Sequence, residues 1–122
     1  MLGRNFILFT RPFSKMTSAT PMTDALRSKI TENLKPTHLE IHNDSHFHAH
    51  HSAMSGITST ETHFRLIITS DEFRSKTQPT RHRMVYALMK EELANGSIHA
   101  LQLETRTPEE AQARAERGAK EV

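Results

Sequence analysis

Residues 63–104 read HFRLIITSDEFRSKTQPTRHRMVYALMKEELANGSIHALQLE, and this stretch decides the fold. Its first eight residues, His63–Ser70, are rich in Phe, Leu and Ile and read as a strand. A polar link containing Pro79 leads to Thr80, a good N-cap, and a helix is predicted from about Arg81 to Ala94. Met84, Val85, Leu88, Met89 and Leu93 form its apolar face, and Asn95–Gly96 supplies the C-cap. A second strand is predicted over about Ser97–Glu104. Strand, helix and strand in that order make a crossover unit, which sets its two strands parallel.

Working outward on the N-terminal side, Leu39 and Ile41 alternate with Glu40 and His42, which predicts a short strand over about Thr37–Asn43. It returns through a long connection and pairs antiparallel. Before it, Thr20–Pro21 looks like an N-cap followed by proline at the first helical position. Met22, Leu26, Ile30 and Leu34 then recur every fourth residue, and Pro36 ends that helix. On the C-terminal side, Thr107-Pro-Glu-Glu110 is a capping box that starts a last helix. That helix lacks a strong apolar stripe and is expected to fray before Gly118. The order is α-β-β-α-β-α, a mixed three-stranded sheet with helices packed on it, in the α+β class. The segments are a leader over 1–20, a domain over 21–112 and a charged tail over 113–122.

Composition narrows the chemistry. With 122 residues one domain is the default, and no apolar run approaches the ~18 residues of a membrane span. There is no cysteine, so disulfides, a thiol nucleophile and a self-contained thiolate metal site are all excluded. Nine histidines are the one compositional anomaly. Five of them, His42, His46, His48, His50 and His51, lie in or beside residues 43–62, which show neither helical nor strand period. Such a tract also binds zinc, copper or nickel adventitiously, and nothing in it fixes a dedicated zinc geometry.

The net charge of +2 divides unevenly: residues 1–20 carry Arg4, Arg11 and Lys15 and no acid, which leaves the remainder near −1. A basic, acid-free segment with interspersed Phe and Leu has the character of a mitochondrial presequence, so the matrix is the expected compartment. The near-neutral body lacks the positive excess of a phosphate-reading protein. Neither a His-Glu-x-x-His helix nor a nucleophile constellation is present, which argues against an enzyme. Arg81, His82 and Arg83 open the predicted second helix, where cations oppose the helix dipole. They are therefore expected to face a partner carboxylate, glutathione or phosphate. His63, at the head of its strand, is expected to make a structural hydrogen bond, and Arg74 and Lys76 to form a solvated edge.

The run Asn43-Asp44-Ser45-x-x-His48, then Glu61-Thr62-His63-Phe64-Arg65, then Arg81-His82-Arg83-Met84-Val85-Tyr86, then His99-Ala100-Leu101 resembles the BolA family in order and spacing. The resemblance covers about residues 22–110 and implies a KH-like (class II) fold. It also implies a non-catalytic role in iron–sulfur cluster assembly. A monothiol glutaredoxin, as heterodimer partner, and glutathione supply sulfur to a shared [2Fe–2S] cluster, and the BolA protein supplies histidine. Late-acting cluster-delivery factors and [4Fe–4S] client proteins follow as further partners. The strand ligand maps to His99 and the loop ligand to His48, with His46, His50 and His51 as alternatives in a loop longer than in many relatives. The chemistry is sound without the family, since two imidazoles replace two thiolates on one iron in Rieske centres. KH-like folds also bind nucleic acid, which is the competing reading. Against it, the Gly-x-x-Gly clamp is absent, because the only glycines are Gly3, Gly56, Gly96 and Gly118.

Overall fold

The computed structural model describes residues 18–45 and 61–120. The elements are α1 (Pro21–Leu34), β1 (His38–Asn43), β2 (His63–Thr69), α2 (Gln78–Leu88), α3 (Lys90–Ala94), β3 (Ala100–Arg106) and α4 (Pro108–Lys120). Most of the expected leader, residues 1–17, and His46, His48, His50 and His51 lie outside the described residues.

The predicted sheet forms. Its order is β1-β2-β3, with β1 antiparallel and β3 parallel to the central β2. Phe64, Leu66 and Ile68 turn inward from β2 and meet Leu26, Ile30 and Leu34 from α1. Val85 and Met89, with Ile98 and Leu101, complete the core. The four-residue spacing seen in the sequence of α1 is therefore the spacing of its buried stripe.

β2 also fastens both ends of α1. Thr20 makes no side-chain cap to that helix. Instead, the Glu61 carboxylate, just before β2, accepts the N–H groups of Met22 and Thr23 at 3.0 and 3.1 Å. The Thr23 hydroxyl also donates to it at 2.7 Å. At the other end Ser70, just after β2, donates its hydroxyl to Leu34 O. Three of the helix groups that lack intrahelical partners are thus satisfied by residues flanking one strand.

Four boundaries differ from the sequence expectation. α2 begins at Gln78, because Thr77 and not Thr80 caps it, accepting the Thr80 N–H through its hydroxyl. The helix breaks at Met89, whose N–H turns back to Tyr86 O while its side chain is fully buried. β3 runs from Ala100 to Arg106, three residues later at its start and two at its end than expected. α4 continues to Lys120, so residues 113–120 are helix and not a fraying tail. Its alanines favour helix, Glu109 and Glu110 sit in its first turn, and Arg117 and Lys120 in its last, all of which suit the macrodipole. The polar link also hides a core residue: a short 3-10 turn, Asp71–Phe73, buries Phe73 completely.

The earlier start of α2 moves Arg81 into the helix and into the interior. Its guanidinium donates to Lys76 O and Thr105 O and forks onto the Glu110 carboxylate at 2.7 and 3.0 Å. Glu110 is meanwhile half of the capping box: it accepts the Thr107 N–H at 2.9 Å and donates its own N–H to the Thr107 hydroxyl. Arg81, then the Thr107 N–H, hold the Glu110 carboxyl down to about 2. A carboxyl depressed when folded stabilises the protein above its unfolded pKa of 4.5 and loses that contribution as pH falls toward 2. Glu110→Gln should therefore lower stability at neutral pH by about 1–2 kcal/mol, the open side of the carboxylate reducing the effect. It should also flatten the acid limb of the stability curve. Urea midpoints measured by circular dichroism across that range check this, and an unchanged acid limb would contradict it.

Candidate functional site

The motif Asn43-Asp44-Ser45 closes the end of β1 onto the head of β2. Asn43 Oδ1 accepts the Ser45 N–H at 3.0 Å, a local turn that aims the serine side chain inward. Asp44 N–H donates to His63 O at 2.8 Å, and its carboxylate receives Arg65 Nε at 3.1 Å. The buried Ser45 hydroxyl then accepts two backbone donors, Thr62 N–H at 2.8 Å and His63 N–H at 3.0 Å.

Thr62 passes the constraint on to β3. Its carbonyl accepts the N–H groups of His99 at 2.8 Å and Ala100 at 3.2 Å. One residue is thus joined to the end of β1 through its N–H and to the start of β3 through its C=O. Ser45 and Glu61, which flank residues 46–60 in the sequence, both adjoin this junction.

His99 stands at that point. Its backbone is pinned to Thr62, and its side chain is exposed rather than packed under the sheet as Leu101 is. The tight turn that brings it there ends α3: Gly96 adopts φ +84, and Ser97 N–H donates to Asn95 Oδ1. A recess of about 300 Å³ opens beside the imidazole, lined by Pro21, Met22, Glu61, Thr62 and Ser97. The His63 ring lies edge-on to it, with centroids 5.8 Å apart and planes at 73°. His63 Nδ1 lies 2.8 Å from the Thr62 hydroxyl, so the expected structural hydrogen bond is present.

The other sequence-read residues separate. Arg81 is 5% exposed and committed to Glu110, so its reading as a partner contact gives way to an internal one. His82 is half-buried beside β3, and Arg83 is exposed, with Nη2 donating to the Thr80 hydroxyl. His42 lies on β1, where His38 and His42 both hydrogen-bond to Glu40 and depress its carboxyl. Arg74 is an exposed ion-pair partner of Asp71 and Glu109. Sequence reasoning missed the positioning roles of Ser45, Glu61 and Thr62. All three stood in the quoted motifs, and their burial as polar residues is the signal.

Among the described residues no group of three or more His, Asp or Glu side chains is placed to hold a metal ion. What the site offers chemically is one accessible imidazole on a rigid backbone mount. It could supply a single nitrogen ligand to a centre whose other ligands come from elsewhere.

A family model described as BolA-like protein matches residues 30–110. The chain is 45% identical over 89 residues to UV-induced protein uvi31 of Schizosaccharomyces pombe, covering 71% of this chain and 86% of that protein. It is 41% identical over 87 residues to SufE-like protein 1, chloroplastic/mitochondrial, of Arabidopsis thaliana, covering 70% of this chain. There it spans only 23% of the relative's length. Among solved structures, BolA1 from Arabidopsis thaliana superposes with a TM-score of 0.63 at 38% identity, covering 80% of this chain and 98% of that one.

Removing the Ser45 hydroxyl tests the junction. Ser45→Ala leaves two backbone donors without their acceptor and should cost about 1–3 kcal/mol. Amide hydrogen exchange at Thr62 and His63 should accelerate while β2–β3 amides farther along stay protected. Unchanged exchange at those two amides would show that the serine does not hold the junction.

Proposed function

The chain belongs to the BolA family, and from that membership we propose that it is a non-catalytic iron–sulfur cluster assembly factor of the mitochondrial matrix. It shares a [2Fe–2S] cluster with a monothiol glutaredoxin and glutathione and assists the maturation of [4Fe–4S] proteins. Late-acting delivery factors are the partners it hands the cluster toward. The observation that carries this reading is the exposed His99 imidazole on a backbone pinned to Thr62.

The division of labour follows from composition. A chain without cysteine cannot hold a four-thiolate cluster, so sulfur comes from the partner and from glutathione. His99 donates one nitrogen. The second nitrogen comes from the loop, and His48 is three residues beyond Ser45, a reach of at most about 10–11 Å of extended chain. His46, His50 and His51 remain the loop alternatives. His63, edge-on to His99, limits how that ring can turn. The cluster is cargo here, and an imidazole must be neutral to ligate it, so acid should loosen the complex. Arg81 is spent on Glu110, which removes one cation from the surface a nucleic-acid-binding alternative would need.

The test is reconstitution with a monothiol glutaredoxin, glutathione, iron and sulfide. The mixture should give a heterodimer whose visible spectrum differs from that of the glutaredoxin homodimer. His99→Ala should erase the difference with the far-ultraviolet circular dichroism unchanged. His48→Ala should do the same, and transfer of the effect to His46, His50 or His51 would move the second ligand there. A His99→Ala complex that keeps the wild-type spectrum would falsify the ligand assignment.

A further inference from the structure

α2 covers the outer edge of β3. Tyr86 Oη donates to Leu101 O at 3.0 Å, and Gln78 Nε2 and Arg81 Nη1 donate to Thr105 O at 3.0 and 3.2 Å. The surface that continues outward from the strand is therefore the solvent side of α2. Tyr86 ties that surface to Leu101, two residues from His99, a span of about 6–7 Å of extended chain.

Among the described residues Tyr86 is the one large hydrophobic side chain that is exposed, at 39%. Its hydroxyl is spent on Leu101 O, so the ring is held in place and offers solvent an apolar surface. A ring fixed before binding loses little rotamer freedom on contact, and tyrosine is enriched among the residues that dominate interface energies. Arg83, Ala87 and Lys90 are exposed as well. Counting from Arg83, Tyr86, Ala87 and Lys90 follow at three, four and seven residues, the spacing of one helical face. The chain keeps a helical course across Met89, whose N–H reaches Tyr86 O and whose carbonyl accepts the Leu93 N–H.

The two cations on this face are uncompensated. Arg83 donates to the Thr80 hydroxyl, and among the described residues neither Arg83 nor Lys90 makes an ion pair. Glu92, two residues from Lys90, is paired with Lys29 instead. On the other flank of His99 the recess holds one acid, Glu61, whose carboxylate caps the first turn of α1. A fixed aromatic ring between two cations fits an acidic protein surface with an apolar seat for the ring.

We propose that the partner that supplies the sulfur ligands docks on this face. It sets carboxylates against Arg83 and Lys90 and closes over Tyr86. The inference rests on cluster sharing through His99, because a protein whose thiolates reach the iron held by His99 must also cover the surface beside it. Arg114 and Arg117 belong to α4, which follows the far end of β3, and lie outside this face.

The test uses the full chain and a monothiol glutaredoxin reconstituted with glutathione, iron and sulfide. Sedimentation reads affinity and the visible spectrum reads ligation. The Arg83→Glu, Lys90→Glu double variant should bind roughly tenfold more weakly or worse, and salt should weaken the wild-type complex more than the variant complex. At saturating partner its spectrum should match that of the wild type, because His99 is intact. Tyr86→Ala should also weaken binding by about tenfold or more. Tyr86→Phe keeps the ring and loses the hydroxyl, and it should bind nearly as the wild type does. A loss in Tyr86→Phe equal to that in Tyr86→Ala would deny the ring its anchoring role. The Arg114→Glu, Arg117→Glu control should bind normally. The proposal is overturned if the Arg83, Lys90 double variant binds as tightly as the wild type while both show the His99-dependent spectrum; cluster sharing then stands and docking lies elsewhere. A wild type that forms no His99-dependent complex removes cluster sharing and this docking face together.

Discussion

The backbone of Thr62 carries hydrogen bonds in both directions: its N–H meets the Ser45 hydroxyl, and its carbonyl takes the N–H groups of His99 and Ala100. Three segments distant in sequence meet there, and each bond is individually modest, of order 1 kcal/mol net. What makes the junction consequential is burial. Ser45, Glu61 and Thr62 are all buried polar residues, so leaving any of them unpaired costs more than pairing them gains. Glu61 extends the same arrangement to α1 by capping its first turn from 38 and 39 residues away. A mobile histidine would have to be ordered each time it met a metal centre, whereas His99 has its backbone fixed in advance.

A second lock closes the opposite end of β3. Arg81, buried beneath α4 and above the Phe73 ring, gathers Lys76 O, Thr105 O and the Glu110 carboxylate. Since Glu110 also completes the capping box, the start of α4 depends on an arginine from α2. The strand that bears the imidazole is thus tied at its head by Thr62 and at its tail by Arg81.

The elements were legible where a period repeated. α1 showed its stripe, β2 its run of Phe, Leu and Ile, and α4 its capping box, because each signal is local and made of a few side chains. What was illegible depended on contacts made across the fold. Two threonines, Thr77 and Thr80, were both adequate caps, and the choice of Thr77 drew Arg81 from the expected surface into the interior. Phe73 hid in a polar link because one buried ring leaves no period. At the site, His99 stood out through its resemblance, while Ser45 and Glu61 looked like ordinary loop residues until their partners arrived from other segments. His46, His48, His50 and His51 lie outside the described residues.

The account turns on one nitrogen atom from this chain standing on an iron atom whose sulfur ligands belong to others. Pulsed electron paramagnetic resonance of the reduced heterocomplex, assembled with this chain isotopically labelled at its histidine nitrogens and an unlabelled glutaredoxin, observes that bond itself. The account predicts a strong coupling from a directly bound labelled nitrogen, diminished when residue 99 is alanine. A cluster that couples to no labelled nitrogen would contradict it, whatever complex the two proteins form.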